Sequence, residues 1–166
     1  MIILVTGGTR SGKSLYAENR ALALPGPPHY IATAEAGDEE MAARIAAHRA
    51  RRGSPWRESE APLDLAGALA ASDGAGPRLV DCLTLWLANL MGAGRDVAAE
   101  TRLLCTVLRV QAAPVIFVTN EVGMGIVPAN RVARDFRDEA GRLNQEVARL
   151  AEEVQLIVSG YPLRVK

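Results

Sequence analysis

Lysine is nearly absent from this chain: Lys13 and Lys166 are the only two among 19 basic residues, the rest being arginine. Histidine is equally scarce, with only His29 and His48. The two cysteines, Cys82 and Cys105, lie in apolar surroundings without metal-ligand spacing. They read as small buried thiols of a reducing compartment, and no zinc site is expected. Net charge is also lacking, because 19 basic and 19 acidic residues cancel. A whole-chain field that would draw in nucleic acid or an anionic membrane is thereby excluded. No apolar run approaches the roughly 20 residues of a membrane helix, since even the uncharged stretch 82–94 falls far short. The N-terminus enters a strand without a basic leader, so a cytoplasmic protein with no membrane insertion is expected. At 166 residues the chain fits one domain, 1–166, with a real core and no room for a separate substrate domain. Any second activity must share the first site.

Against this background stands Gly7-Gly8-Thr9-Arg10-Ser11-Gly12-Lys13-Ser14, placed directly after the apolar run 2–6. The spacing is that of a phosphate-binding loop between strand and helix. Its backbone N–H groups wrap a phosphate chain, and the following helix directs the positive end of its dipole at the same anion. Lys13 would reach the outer phosphates and the Ser14 hydroxyl would ligate Mg²⁺.

Short apolar runs at 2–6, 30–33, 79–82, 115–119 and 156–159 alternate with helical segments. The alternation predicts an α/β, P-loop NTPase-like fold with a mostly parallel sheet and helices on both faces. The first helix should start near Gly12 and stop before the proline-rich stretch 24–28. A helix is expected over 38–52, with Met41, Ile45 and His48 on one face, then a short one near 64–71. Two more cross 83–111, divided at Gly92-Ala93-Gly94, the second with Leu103, Leu104, Val107 and Leu108 as its stripe. The longest periodic signal joins Val132, Phe136, Ala140, Leu143, Val147, Leu150 and Val154 in a helix over 130–153. Residues 161–165 read as a short closing hairpin strand.

Three further features bear on chemistry. Asp81 follows Leu79-Val80 at the end of a buried strand, where it either holds the Mg²⁺ shell or caps the next helix. His48 lies among Arg44, Arg49, Arg51, Arg52 and Arg57. These cations disfavour imidazolium and leave a lone pair for attack on phosphorus, and they offer a hold for a triphosphate; the other reading is a solvated helix histidine. His29, at a strand entry, reads as structural or solvent-facing. The stretch Thr119-Asn120-Glu121-Val122-Gly123-Met124-Gly125-Ile126-Val127-Pro128 follows the fourth apolar strand, where ligands of parallel sheets bind. It serves either a ligand or a structural connection. Thr33, Arg49, Arg52 and Glu60 join the phosphate loop and Asp81 in the candidate nucleotide-binding set; no guanine-reading residue stands out.

The phosphate loop, Tyr30-Ile31-Ala32-Thr33-Ala34, the 38–48 stretch, Trp56, the 119–128 string, Phe136-Arg137-Asp138, Gly141-Arg142, Asn144-Gln145 and Val158-Ser159-Gly160 together resemble one family. It is the bifunctional adenosylcobinamide kinase and adenosylcobinamide-phosphate guanylyltransferase family of cobalamin biosynthesis. The resemblance implies phosphorylation of the aminopropanol hydroxyl of adenosylcobinamide by ATP or GTP. GMP then passes from GTP to a histidine, at the position of His48, and on to adenosylcobinamide phosphate, giving adenosylcobinamide-GDP. It further implies Mg²⁺ and a homo-oligomer, a trimer, with neighbouring subunits near the site. Relatives often carry glutamate where Asp81 stands. Two other readings of the residues are a small-molecule P-loop kinase without a covalent intermediate and a nucleotide-dependent switch.

Overall fold

The computed structural model describes residues 1–35, 39, 46–47, 49–50, 53 and 55–166. Its strands are β1 (Ile2–Gly7), β2 (His29–Ala32), β3 (Arg57–Glu60), β4 (Arg78–Asp81), β5 (Val115–Val118), β6 (Glu153–Val158) and β7 (Tyr161–Arg164). They form one sheet in the order β3-β2-β4-β5-β1-β6-β7, parallel throughout except for β7, which runs antiparallel to β6. Five helices are described: α1 (Lys13–Leu22), α2 (Leu65–Ala71), α3 (Leu83–Gly92), α4 (Val97–Leu108) and α5 (Arg131–Leu150).

Alternation along the strands divides the core between the two faces of the sheet. Ile3, Val5, Leu79, Ile116 and Val118 meet Ala17 and Ala21 of α1. Ile2, Leu4, Val80, Val115 and Phe117 meet Leu69, Trp86, Leu87, Leu104, Leu143 and Val147 from the other four helices. Each fully buried leucine here contributes about 1.5–3 kcal/mol relative to exposure. Asp64, Asp96 and Asn130 cap α2, α4 and α5 by accepting from the N–H groups of Gly67, Ala99 and Ala133. In contrast α1 follows Gly12 with no side-chain cap on its first N–H groups.

Several expectations need correction. The last long helix ends at Leu150, not at 153, because Ala151 turns to extended backbone and the Glu152 N–H donates to the Ile2 carbonyl. Val154 therefore belongs to β6, opposite Leu4 and buried against the sheet. Val132 is 72% exposed and Leu103 50% exposed, so neither joins the buried stripe assigned to it. Strand β3 was not expected at all: Arg-Glu-Ser-Glu carries no apolar alternation, yet it adds to the β2 edge with His29 opposite Arg57. His29 is a half-buried strand residue whose Nε2 lies 2.9 Å from Ser59 Oγ, in keeping with a structural role. In the expected 38–52 helix, residues 39, 46–47 and 49–50 are helical, whereas Met41, Ile45 and His48 lie outside the described residues.

One buried cation anchors the sheet. Arg78 has no exposed side-chain surface and donates to Asp73 Oδ1 at 2.9 Å and to the Ala113 carbonyl at 2.7 Å. Asp73 also accepts from the N–H groups of Ala112 and Ala113. Burial opposes its ionisation, but those backbone bonds and Arg78 outweigh it and hold the carboxyl below its ordinary pKa. A carboxylate lowered on folding stabilises the native state above its unfolded pKa, and that stabilisation is lost as pH falls through the folded value. Asp73→Asn is expected to cost about 1.5–3 kcal/mol at neutral pH, the worth of hydrogen bonds to a charged group. Urea titrations across pH would check this, with the gap between variant and wild type closing in acid below about 3.9, the unfolded value.

Candidate active site

The carboxyl ends of β1, β4 and β5 bring together three segments far apart in sequence: the loop 7–14, Asp81 with Cys82, and the connection that starts at Thr119. In the loop, Arg10 and Gly12 both take positive φ, 57° and 96°, which turns successive N–H groups toward a common concavity. Gly7 is required by space, because a Cβ there would lie 2.6 Å from the Ile157 carbonyl oxygen and 2.7 Å from Ser11 Oγ. Gly8, Thr9 and Arg10 are exposed on the loop, and Ser11 and Ser14 are half-buried. The Ser11 hydroxyl is buried without a hydrogen-bond partner.

Lys13 arches back over this concavity, only 8% exposed, with Nζ donating to the Gly8 carbonyl at 3.0 Å. Burial lowers the pKa of its ammonium from the ordinary lysine value, while nearby Cys82 and Asp81 push the other way. Asp81 is half-buried at the end of β4 and accepts from the Tyr30 hydroxyl at 3.2 Å. Ser14 and Asp81 offer hard oxygen ligands, a donor set suited to Mg²⁺ together with phosphate oxygens and water. The neighbouring Cys82 thiol is pushed up to about 11 by burial and by the Asp81 charge, so it is no nucleophile at neutral pH.

Of the remaining sequence candidates, Thr33 stands behind Asp81 and the other described ones fall elsewhere. Thr33 is fully buried, and its hydroxyl donates to the Cys82 carbonyl and accepts from the Cys82 N–H, each at 2.8 Å. It fixes the backbone beside Asp81. Glu60 is exposed at the end of β3, four strands from β1 and so about 19 Å away at sheet spacing. Arg49 is paired with Glu58 Oε2 at 2.7 Å, beside the same edge. His48 and Arg52 lie outside the described residues.

Other contacts shape the site that the sequence does not assign. The Gly160 N–H donates to the Ser11 carbonyl at 2.8 Å, so the β6–β7 turn braces the phosphate loop. Tyr30 orients Asp81. Thr84 Oγ1 accepts from the Asn120 N–H at 2.8 Å, and Thr119 donates to Asn144 Oδ1 at 2.8 Å. The Glu121 N–H reaches the Gly7 carbonyl at 3.1 Å. At the far end of the connection, Arg134 donates to the carbonyls of Pro128 and Ala129. Apart from this last, local contact, pairs so distant in the chain carry no local signal.

A phosphate loop leaving the interior strand β1 of a mostly parallel sheet, with an uncapped helix behind it, defines a P-loop NTPase-like protein. The fold recurs in the flagellar accessory protein FlaH from Methanocaldococcus jannaschii, with a TM-score of 0.54 and 9% identity over 99% of this chain and 77% of that one, a likeness of fold alone. The family model for cobinamide kinase / cobinamide phosphate guanyltransferase, CobU, matches residues 3–165, and the chain belongs to that family. The bifunctional adenosylcobalamin biosynthesis protein CobP of Pseudomonas aeruginosa is 45% identical over 98% of this chain and 96% of its own length. Its counterparts named CobU, from Salmonella typhimurium and Escherichia coli, are 44% and 43% identical with full coverage of both chains. Among the described residues no helix is long and apolar enough to cross a membrane.

Proposed function

We propose that this chain carries out both reactions named for its family, on one nucleotide cradle. In the first, the hydroxyl of the aminopropanol arm of adenosylcobinamide takes the γ-phosphoryl group of ATP or GTP. Loop 7–14 holds the phosphates, with Lys13 at the outer ones, and Ser14 and Asp81 hold Mg²⁺. Bound there, Mg²⁺ would neutralise charge on the phosphate oxygens. In the second reaction, a neutral His48 nitrogen attacks the α-phosphorus of GTP. The bond to the bridging oxygen breaks, pyrophosphate leaves, and GMP stays on the imidazole. The phosphate of adenosylcobinamide phosphate then attacks the same phosphorus, freeing His48 and giving adenosylcobinamide-GDP.

The observation that carries this reading is the family match across residues 3–165, joined to a phosphate loop whose lysine is already folded over it. Oxygen ligands at Ser14 and Asp81 and the braced loop support the phosphoryl-transfer half. For the guanylyl half the support is the place of His48 in the sequence among Arg44, Arg49 and Arg52. The full site is proposed as Gly7, Gly8, Thr9, Arg10, Ser11, Gly12, Lys13, Ser14, Thr33, Arg49, Arg52, Glu60 and Asp81 around the nucleotide. With Glu60 and Arg49 at the far sheet edge, a homotrimer that brings one subunit's edge to another's phosphate loop would reconcile the set. Intact-mass analysis after incubation with GTP and Mg²⁺ tests the covalent step. An acid-labile gain of one GMP is expected, and a folded, GTP-bound protein without the adduct would sink the guanylyltransferase half and leave a kinase.

A further inference from the structure

We infer that the groove between loop residues 123–127 and the middle of α5 seats the amide-fringed macrocycle of the acceptor, an inference that rests on the function proposed above. The groove is an open one of about 470 Å³, between Gly123, Gly125 and Val127 on one side and Arg137, Gly141 and Arg142 on the other. Its position follows from the connection out of β5. Glu121 is tied by its N–H to the Gly7 carbonyl, and two further residues of chain span no more than about 7 Å. The groove therefore opens beside the phosphate loop, within reach of a hydroxyl carried on a flexible arm.

Gly123 is accounted for by Glu121, whose Oε1 would lie 3.0 Å from a Cβ there, but Gly125 and Gly141 have no other explanation in the fold. Gly141 sits inside a 20-residue helix, where alanine is the better helix former. A Cβ built on Gly141 or Gly125 meets nothing within 4 Å, and neither residue has positive φ. Neither packing nor backbone conformation demands glycine at these places. What glycine does achieve is a floor free of side chains, which a flat, bulky ligand needs.

The walls match the chemistry of such a ligand. Val127, 60% exposed, is the apolar residue of the lining, and Met124 and Ile126 of the same loop, 80% and 96% exposed, form an apolar tip beside the groove, suited to the face of a macrocycle. Arg137, Arg142 and Gln145 supply donors for amide carbonyls, and Asp138 and Gln145 supply acceptors for amide N–H groups. A rim of primary amides presents both. The loop carrying the apolar tip is held at its start by Thr84 and at its end by Arg134, so it forms a prepared wall.

The test compares wild type with Gly141→Leu, which fills the floor with a good helix former, and with Gln145→Ala, which removes polar contacts at the rim. Phosphorylation of adenosylcobinamide, GTP affinity by calorimetry and oligomeric state by light scattering are measured for each. Gly141→Leu is expected to raise KM for adenosylcobinamide about tenfold or more, equivalent to about 1.4 kcal/mol of binding, with GTP affinity and oligomeric state unaltered. Gln145→Ala should raise the same KM by a smaller factor. An unchanged KM in Gly141→Leu, with an active wild type, would overturn the groove and leave the proposed function standing. A change of oligomeric state without a change in KM would also overturn it, making the groove a contact between copies. A wild type that phosphorylates no adenosylcobinamide would overturn both.

Discussion

His48→Ala is expected to abolish formation of the GMP adduct and the release of pyrophosphate from GTP, while the first phosphoryl transfer to adenosylcobinamide continues. The two reactions ask different things of the protein. Phosphoryl transfer to a hydroxyl is mainly positioning and charge neutralisation, and the groups for it surround the loop 7–14. Guanylyl transfer through a covalent intermediate has no route without its nucleophile, so the loss is complete rather than graded. The phosphate-loop groups remain in the variant, and nucleotide should still bind. Intact mass and a pyrophosphate-release assay read the second reaction, and conversion of adenosylcobinamide to its phosphate reads the first. Adduct persisting in His48→Ala would move the nucleophile to another residue; loss of both reactions in a folded variant would show that His48 serves the nucleotide rather than the chemistry.

Lys13→Met should reduce both reactions, because in the proposed function one ammonium serves one cradle. The side chain is 8% exposed and its Nζ already spans to the Gly8 carbonyl, so the donor stands ready before nucleotide arrives. Loss of one preorganised donor to developing negative charge typically costs about 10²–10³ in rate. Methionine keeps the length and helix propensity of lysine, so α1 and its packing through Ala17 and Ala21 should survive. Removing a buried cation also relieves a desolvation cost, so the variant is expected to melt no lower than wild type. Rates of adenosylcobinamide phosphorylation and of adduct formation, each beside a thermal melt, check this. A variant retaining most of either rate would remove Lys13 from that step. The rarity of lysine in the chain gives the result extra weight, since arginine fills nearly every other basic position.

Much of the scaffold was legible because its signals are local. Strands β1, β2, β4 and β5 announce themselves as short apolar runs, since strands buried on both faces need apolar residues on both sides of the pleat. The start of α1 at the phosphate loop, the break at Gly92-Ala93-Gly94 and the closing strand β7 were equally readable from glycine, proline and spacing. Strand β3 was not, because an edge strand of Arg57, Glu58, Ser59 and Glu60 obtains its structure from hydrogen bonds to β2 rather than from burial of its own side chains. The boundary between α5 and β6 was misplaced for a related reason. Val154 fits the helical period as well as it fits a strand, and only the bond from Glu152 to Ile2 and the pairing with β1 decide between them.

By itself the sequence determined the phosphate loop, the parallel α/β class and the family, because each is written in contiguous residues whose spacing has a direct physical meaning. Tertiary structure alone decided how that loop is supported and what lies beside it. It placed Gly160 against Ser11, Tyr30 on Asp81, Thr84 under Asn120, and a groove floored by Gly141 next to the reacting end of the sheet. Those contacts join residues from distant parts of the chain. They arise where strand order and helix packing bring segments together, and no window of sequence contains both partners.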